Sequence, residues 1–259
     1  MTQKNLLVIT GNQLVHKYFL NQLGLHFKFS AVFFESIQYP DPLFKSNREK
    51  VVWDEFFLSR HKTEQSLLQI CEKSHTQSNP TVYTIEKGNL NSDKTLELIK
   101  QCSPDQIIIF GTSLLGTKFL DLYPDQILNL HVGLSQFYRG SSCNFWPIYD
   151  LKPQLLGATV HFVSKRIDAG NILIQDTISL DENDSEFILM TKPIILGTKL
   201  MIEAIKQANA DLAISGDSQS NGKLHQIKDF TPKAILKVKD IVNSGELKTK
   251  IKLENARLK

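Results

Sequence analysis

The sequence predicts an α/β fold: a Rossmann-like, mostly parallel sheet flanked by helices, with a short extension at its C-terminal end. Three observations carry this. The chain opens as strand, turn and helix: Asn5–Thr10 (NLLVIT) is a short apolar run, Gly11-Asn12 turns it, and Gln13–Leu23 repeats apolar residues at helical spacing. Short β-branched runs then alternate with helical patterns, the signature of βαβ units. Gln106–Phe110 (QIIIF) is apolar on both faces, as a central parallel strand requires.

The elements follow in order. Phe27–Glu35 reads as a second strand and 38–48 as a Pro-containing polar loop. Lys50–Ser74 has helical periodicity, with Val52, Phe56, Phe57, Leu67, Leu68 and Cys71 inward. Arg60 and Glu64 on it, at i and i+4, read as a solvated surface pair worth about 0.3 kcal/mol. Thr81–Ile85 is a third strand, and Asn91-Ser92-Asp93 offers a cap for a helix over Lys94–Cys102. Gly111–Leu115 forms the loop at the carboxyl end of QIIIF, the edge where open α/β sheets bind ligands. Asp125–Val132, Gly157–Val163 and Asn171–Ser179 are further strands, the last two a pair joined by a turn. Ser185–Ala208 is helical, with Pro193 expected to break or kink it. Ser215–Ile227 reads as a turn and short strand. Thr231 caps a last helix with Pro232 at its first position, and the final fifteen residues read as a loosely held or exposed helix. Residues 1–210 are expected to form the main domain, and 211–259 an extension of a hairpin and a helix.

Charge and cysteine usage exclude several classes. Net charge is +3, too small for a dedicated nucleic-acid binder. The excess is local: Lys233–Lys259 has eight Lys/Arg against three Asp/Glu, a net of +5, leaving the body at −2 (+3 minus +5). This tail reads as a solubility device or a dimer contact. Cys71, Cys102 and Cys143 show no CxxC spacing, which suits a reduced, cytosolic protein. Cys143 lies near the richest stretch but reads as inert. No run approaches a membrane span, and no leader is expected before the first strand. The first turn carries neither GxGxxG nor GxxxxGK(S/T), so no dinucleotide or P-loop site is placed there.

The chemistry concentrates between Asp125 and Gln175. Asn129 and His131 are two apart in an apolar run, so on a strand both point to one face. Asp168 sits in an Arg-Ile-Asp-Ala-Gly turn between the next two strands. An amide donor suits a carbonyl oxygen that becomes negative. An imidazole can donate to the same oxygen or move a proton, and the carboxylate can orient and charge-stabilise it. The set suits attack on a carbonyl carbon without a covalent protein intermediate. Ser135, Ser141 and Ser142 are nearby, but none sits in a GxSxG elbow. Two blander readings stand beside this: packed polar residues of a strand, and a metal site made by His131, His161 and Asp168.

The pattern N-L-H…Y-R-G…G-A-T-V-H-F-V…I-D-A-G-N-I-L-I-Q resembles the folate-dependent formyltransferase family, over roughly Asn5–Leu200 and most strongly over Leu128–Gln175. The resemblance implies the formyltransferase fold, a soluble homodimer without metal, and N10-formyltetrahydrofolate as formyl donor. It implies catalysis by Asn129, His131 and Asp168. It places the donor's ring along Phe110, Gly111, Thr112, Ser113, Leu114 and Leu115, with Ile167 opposite. Glycinamide ribonucleotide transformylases carry a G-S-G turn after the first strand; here the turn is Gly11-Asn12-Gln13. Methionyl-tRNA formyltransferases follow the histidine with S-L-L-P and carry a C-terminal barrel. Here the segment is Gly133-Leu134-Ser135-Gln136, and no barrel is expected. Formyltetrahydrofolate deformylases carry an extra N-terminal domain, which is not expected here. The remaining likeness is to N-formyltransferases of nucleotide-linked amino sugars for surface polysaccharide, such as lipopolysaccharide O-antigen. On that reading Tyr138, Arg139, Gly140 and Trp146 bind substrate, with Arg139 on a phosphate and Phe137, Phe145 and Tyr149 as further stacking or core aromatics. Another small amine, such as a hydroxyornithine side chain or glycinamide ribonucleotide, or water as acceptor, stays open.

Overall fold

The structure, a computed structural model, describes residues 4–36, 39–68, 79–209 and 222–257. The strands are β1 (Leu6–Gly11), β2 (Phe29–Glu35), β3 (Thr81–Ile85), β4 (Gln106–Phe110), β5 (Ile127–His131), β6 (Tyr138–Gly140), β7 (Gly157–Phe162), β8 (Ile172–Thr177) and β9 (Lys223–His225). The helices are α1 (Leu14–Gly24), α2 (Asn47–Leu68), α3 (Asp93–Gln101), α4 (Thr117–Leu122), α5 (Trp146–Tyr149), α6 (Glu186–Asn209), α7 (Pro232–Asn243) and α8 (Glu246–Arg257).

Seven strands form one sheet in the order β3-β2-β1-β4-β5-β7-β8. From β3 to β5 neighbours run parallel; β7 and β8 turn the far edge antiparallel. The chain leaves β1 toward β2 and β3, then returns to place β4 and β5 on the other side. The carboxyl ends of β1 and β4 therefore border the crevice where strand order reverses.

Alternation along β1 and β4 feeds two cores. Leu6, Val8 and Ile108 pack under α1 and α6 with Phe19, Leu23, Met201 and Ile205. Leu7, Ile9, Ile107 and Ile109 face α3 and α4, against Leu96, Ile99 and Phe119. A third core joins α2, α5, α7 and α8 through Trp53, Phe56, Phe145, Trp146, Phe230, Ile235 and Ile251.

The caps follow the side chains available. Ser92 accepts the Thr95 N–H at the start of α3, and Thr231 accepts the Ala234 N–H at the start of α7. Several expectations are corrected. Helix α6 runs through Pro193 without a break; packing of both helix halves on the sheet outweighs the lost backbone bond. Helix α2 starts at Asn47; residues 69–74 of the expected helix, with Cys71, lie outside the described residues, as does 215–221. Leu67 on α2 is exposed rather than inward. The Arg60–Glu64 pair joins at 2.7 Å with side chains only 21% and 10% exposed, so it is not a solvated pair. The last helix is packed, not loose: Leu247 and Ile251 are buried in the third core. Most of the expected hairpin of the extension lies outside the described residues; its described strand, β9, pairs in parallel with β6. No described helix is long and apolar enough to cross a membrane.

Candidate active site

Strand β5 delivers Asn129 and His131 to one face, and antiparallel pairing with β7 sets His161 opposite Asn129 and Thr159 opposite His131. The turn between β7 and β8 then brings in Asp168. Its backbone is left-handed, with φ 45°. Aspartate tolerates that region better than most residues, and here the side chain is held from three sides. Asp168 Oδ2 accepts the Gly140 N–H at 2.8 Å and faces His131 Nδ1 at 3.3 Å. Asp168 Oδ1 accepts from Asn129 Nδ2 at 3.2 Å and lies 3.5 Å from His161 Nε2.

The hydrogen-bond directions fix much of the chemistry. His161 Nδ1 lies 2.8 Å from the Phe162 carbonyl, which can only accept, so Nδ1 carries a proton. Its Nε2 is then an acceptor, and Asn129 Nδ2 donates to it at 3.0 Å. Both amide protons of Asn129 are thus spent inside the cluster, and a substrate oxygen would take one over from Asp168 or His161. His131 Nε2 lies 2.9 Å from the Tyr138 carbonyl and by the same rule carries a proton. Burial pushes the Asp168 carboxyl up, but His131 foremost and the Gly140 N–H with it outweigh burial and hold it well below the usual carboxylate range. Burial lowers His131, with the Asp168 carboxylate pulling against it. The result is an ionised carboxylate whose Oδ2 faces His131 Nδ1, a pair able to hold a proton between them.

The loop after β4 is held by two side chains from elsewhere. Glu35, fully buried at the end of β2, accepts the Ser113 N–H at 2.7 Å. Asn91 takes the Gly116 N–H at 2.7 Å and donates to the Leu114 carbonyl at 2.8 Å. Leu114 itself is exposed, and its N–H makes no backbone hydrogen bond among the described residues. Phe110 is buried against Phe19 and His16. The expected donor-binding residues therefore form a fixed edge that carries the Leu114 N–H, while Phe110 packs beneath it. Ile167 gives its carbonyl to Arg139 at 3.4 Å.

The expected substrate residues are placed differently. Tyr138 and Trp146 are buried, Trp146 stacked on His225 with ring centroids 4.1 Å apart. Phe145 is packed in the same core. Arg139 donates to the Gly222 and Ile167 carbonyls. Gly140 contributes its N–H to Asp168. These residues build the wall of the site; the Tyr138 and Trp146 rings are packed, and Arg139 is half-buried with its Nε and one Nη on backbone carbonyls. Burial pushes the Cys143 thiol up, toward its protonated form. No group of three metal-binding side chains with suitable geometry occurs among the described residues.

The turn after β1 closes on a histidine. His16 Nδ1 accepts the Gln13 N–H at 3.2 Å, and its ring packs so tightly that a Cβ on Gly111 would lie 2.2 Å from Nε2. Burial first, and Arg60 second, lower the His16 pKa from 6.5 to about 4. The folded state thus favours neutral His16. Its stability contribution is complete above pH 6.5 and is lost as pH falls toward 4. The shift corresponds to about 3 kcal/mol at most. Urea unfolding of the wild type and His16→Gln from pH 7 to 4 should show the wild type losing its advantage over that window.

The formyl transferase family profile matches residues 55–205, more than half of the chain. Among curated relatives, the methionyl-tRNA formyltransferase of Desulforamulus reducens is 29% identical over 130 residues, covering 50% of this chain and 41% of that one. The Staphylococcus aureus enzyme of that name is 34% identical over 126 residues, covering 48% and 39%. The chain spans about half the length of the curated relatives it matches. Among solved structures, phosphoribosylglycinamide formyltransferase from Anaplasma phagocytophilum superposes with a TM-score of 0.61 at 15% identity, covering 87% of this chain and 99% of that one. A sugar N-formyltransferase from a Shewanella species gives 0.58 at 16%, covering 88% and 79%. These structures share the fold: a mostly parallel sheet between helices. With the profile spanning more than half of the chain, Asn129, His131, His161 and Asp168 among its residues, the chain belongs to the formyl transferase family.

Proposed function

We propose that this protein transfers a formyl group from N10-formyltetrahydrofolate to the amine of a nucleotide-linked amino sugar. The observation that carries the transfer is the meeting of Asn129, His131 and Asp168 beside the strand-order reversal, with His161 orienting the Asn129 amide. The donor supplies the formyl carbon, and the fixed edge from Gly111 to Leu115 suits the rim of a flat heterocycle through the Leu114 N–H. As the amine attacks that carbon, the Asp168–His131 pair accepts the proton the nitrogen loses. Asn129 turns one amide N–H toward the carbonyl oxygen and hydrogen-bonds it as it becomes negative, keeping the proton. His131 then returns a proton to the departing nitrogen, so protons balance over the turnover.

The acceptor reading is supported at the β1 turn. The Gln13 N–H at the start of α1, which could serve a phosphate, is taken by His16, and the His16 ring fills the space beside Gly11 and Gly111. That arrangement disfavours a ribonucleotide phosphate held there. The test offers N10-formyltetrahydrofolate with a panel of amino-sugar nucleotides, hydroxyornithine and glycinamide ribonucleotide, and detects formylated product by mass. A formylated sugar nucleotide is expected. Product only from hydroxyornithine or glycinamide ribonucleotide would refute the acceptor, and rapid formate release without any amine would indicate a hydrolase.

A further inference from the structure

We propose that a groove between the start of α1 and helix α2 holds the nucleobase of the acceptor's carrier. The proposal rests on the nucleotide-linked reading above and adds a place and a mode of recognition to it. The cavity has a volume of about 540 Å³, within the roughly 300–1,000 Å³ of small-molecule sites. It lies toward the α1 and α2 side of the sheet edge, whereas the loop expected to take the donor leads into α4 on the opposite face. Two reactants can therefore approach the β5 cluster from opposite sides.

The walls suit a flat ring. Phe57 and Tyr39 are half-buried and border the groove, their ring centroids 5.7 Å apart, and Trp53 backs Phe57 at 4.9 Å. Aromatic faces of this kind stack on any base. Arg60 lines the same space. Its Nε is bound to Glu64, and no hydrogen bond from its other guanidinium nitrogens is found among the described residues. Those N–H groups form a planar fork suited to the carbonyl edge of a base. A nearly buried ion pair is a poor source of stability, because desolvation offsets its attraction. A ligand role accounts for the pair's position better than a structural one.

Charge separates base from phosphate. Glu64 offsets Arg60, Asp54 is held by Lys50 at 2.5 Å, and exposed Asp41 adds a negative charge to the lining. A polyanion gains little in such a groove, while a neutral ring with acceptor oxygens gains both stacking and hydrogen bonds. The groove is also tied to the reacting centre. Tyr39 Oη bonds Ser141 Oγ at 2.9 Å and also Ser142 Oγ, and Ser141 follows Gly140, the donor to Asp168.

The test is calorimetric titration of the whole protein with UDP, dTDP, GDP and ADP, followed by competition with the matching nucleoside and with inorganic pyrophosphate. One nucleotide should bind, the nucleoside should displace it, and pyrophosphate should not. Phe57→Leu, which keeps apolar volume, should weaken binding about tenfold, and Arg60→Lys should weaken it and blur the choice of base. The KM for N10-formyltetrahydrofolate should not move in either. If a nucleotide binds but both variants bind it as the wild type does, the groove is not the base site, and the nucleotide-linked reading survives. Displacement by pyrophosphate alone would make the site a phosphate site and overturn the proposal. If no nucleotide binds the wild type, groove and reading fall together. Should Phe57→Leu fail to fold, Tyr39→Leu takes its place in the same comparison.

Discussion

Asp168→Asn is expected to lower kcat/KM for formyl transfer by roughly 10²–10⁴, the range found for removal of a positioned proton acceptor. The substitution preserves shape and reverses the hydrogen-bond logic. One carboxylate oxygen accepts the Gly140 N–H and the other accepts from Asn129. Whichever way the new amide turns, its NH₂ meets one of these donors. His131 also loses the anion that opposes its burial, so its pKa falls further and the pair can no longer take a proton from the amine. The measured loss should lie in kcat, with little change in the KM of either substrate. A variant keeping a tenth or more of wild-type activity would show that Asp168 neither accepts the proton nor supports His131.

Gly140→Ala should be the most damaging conservative change, costing about 3 kcal/mol of stability and nearly all activity. Two penalties combine at this residue. Its φ is +86°, a conformation that side chains rarely adopt, and a Cβ would lie 2.2 Å from the His225 carbonyl oxygen. The added methyl must break the β6–β9 pairing, which withdraws the N–H from Asp168. Gly88 provides the comparison, with φ +88° and nothing within 4 Å of the Cβ position. Gly88→Ala should therefore cost only the backbone penalty, about 1 kcal/mol. Denaturant unfolding of both variants, with activity beside it, separates the terms. Equal losses would mean that contact with β9 contributes nothing.

Much of the sheet was legible in the sequence because its strands are locally coded. QIIIF can only be a doubly buried strand, and the two-residue spacing of Asn129 and His131 leaves one face for both. GATVHFV showed His161 to be on a strand but not which way it faced: its place beside Asn129 depends on the β5–β7 register, which no single run encodes. Strand β6 was missed because Tyr138-Arg139-Gly140 pairs with Lys223–His225, far along the chain. The same long-range packing buried Tyr138 and Trp146, whose rings look alike in sequence whether they face solvent or a core. Arg60 and Glu64 at i, i+4 resembled any surface pair; only the approach of other elements to α2 shields them. In α8, inward positions Leu247, Ile251 and Glu254 follow helical spacing, but charges on the remaining faces masked that narrow stripe.

The pairing of β6 with β9 also sets an order of events during synthesis. Residues 4–209 supply Asn129, His131, His161 and Asp168, but Tyr138 and Gly140, which hold His131 and Asp168 through their backbones, are clamped by a strand ending at His225. A chain emerging from the ribosome thus completes its seven-stranded sheet before the β6–β9 pairing that holds the backbone donors and acceptors of His131 and Asp168 can form.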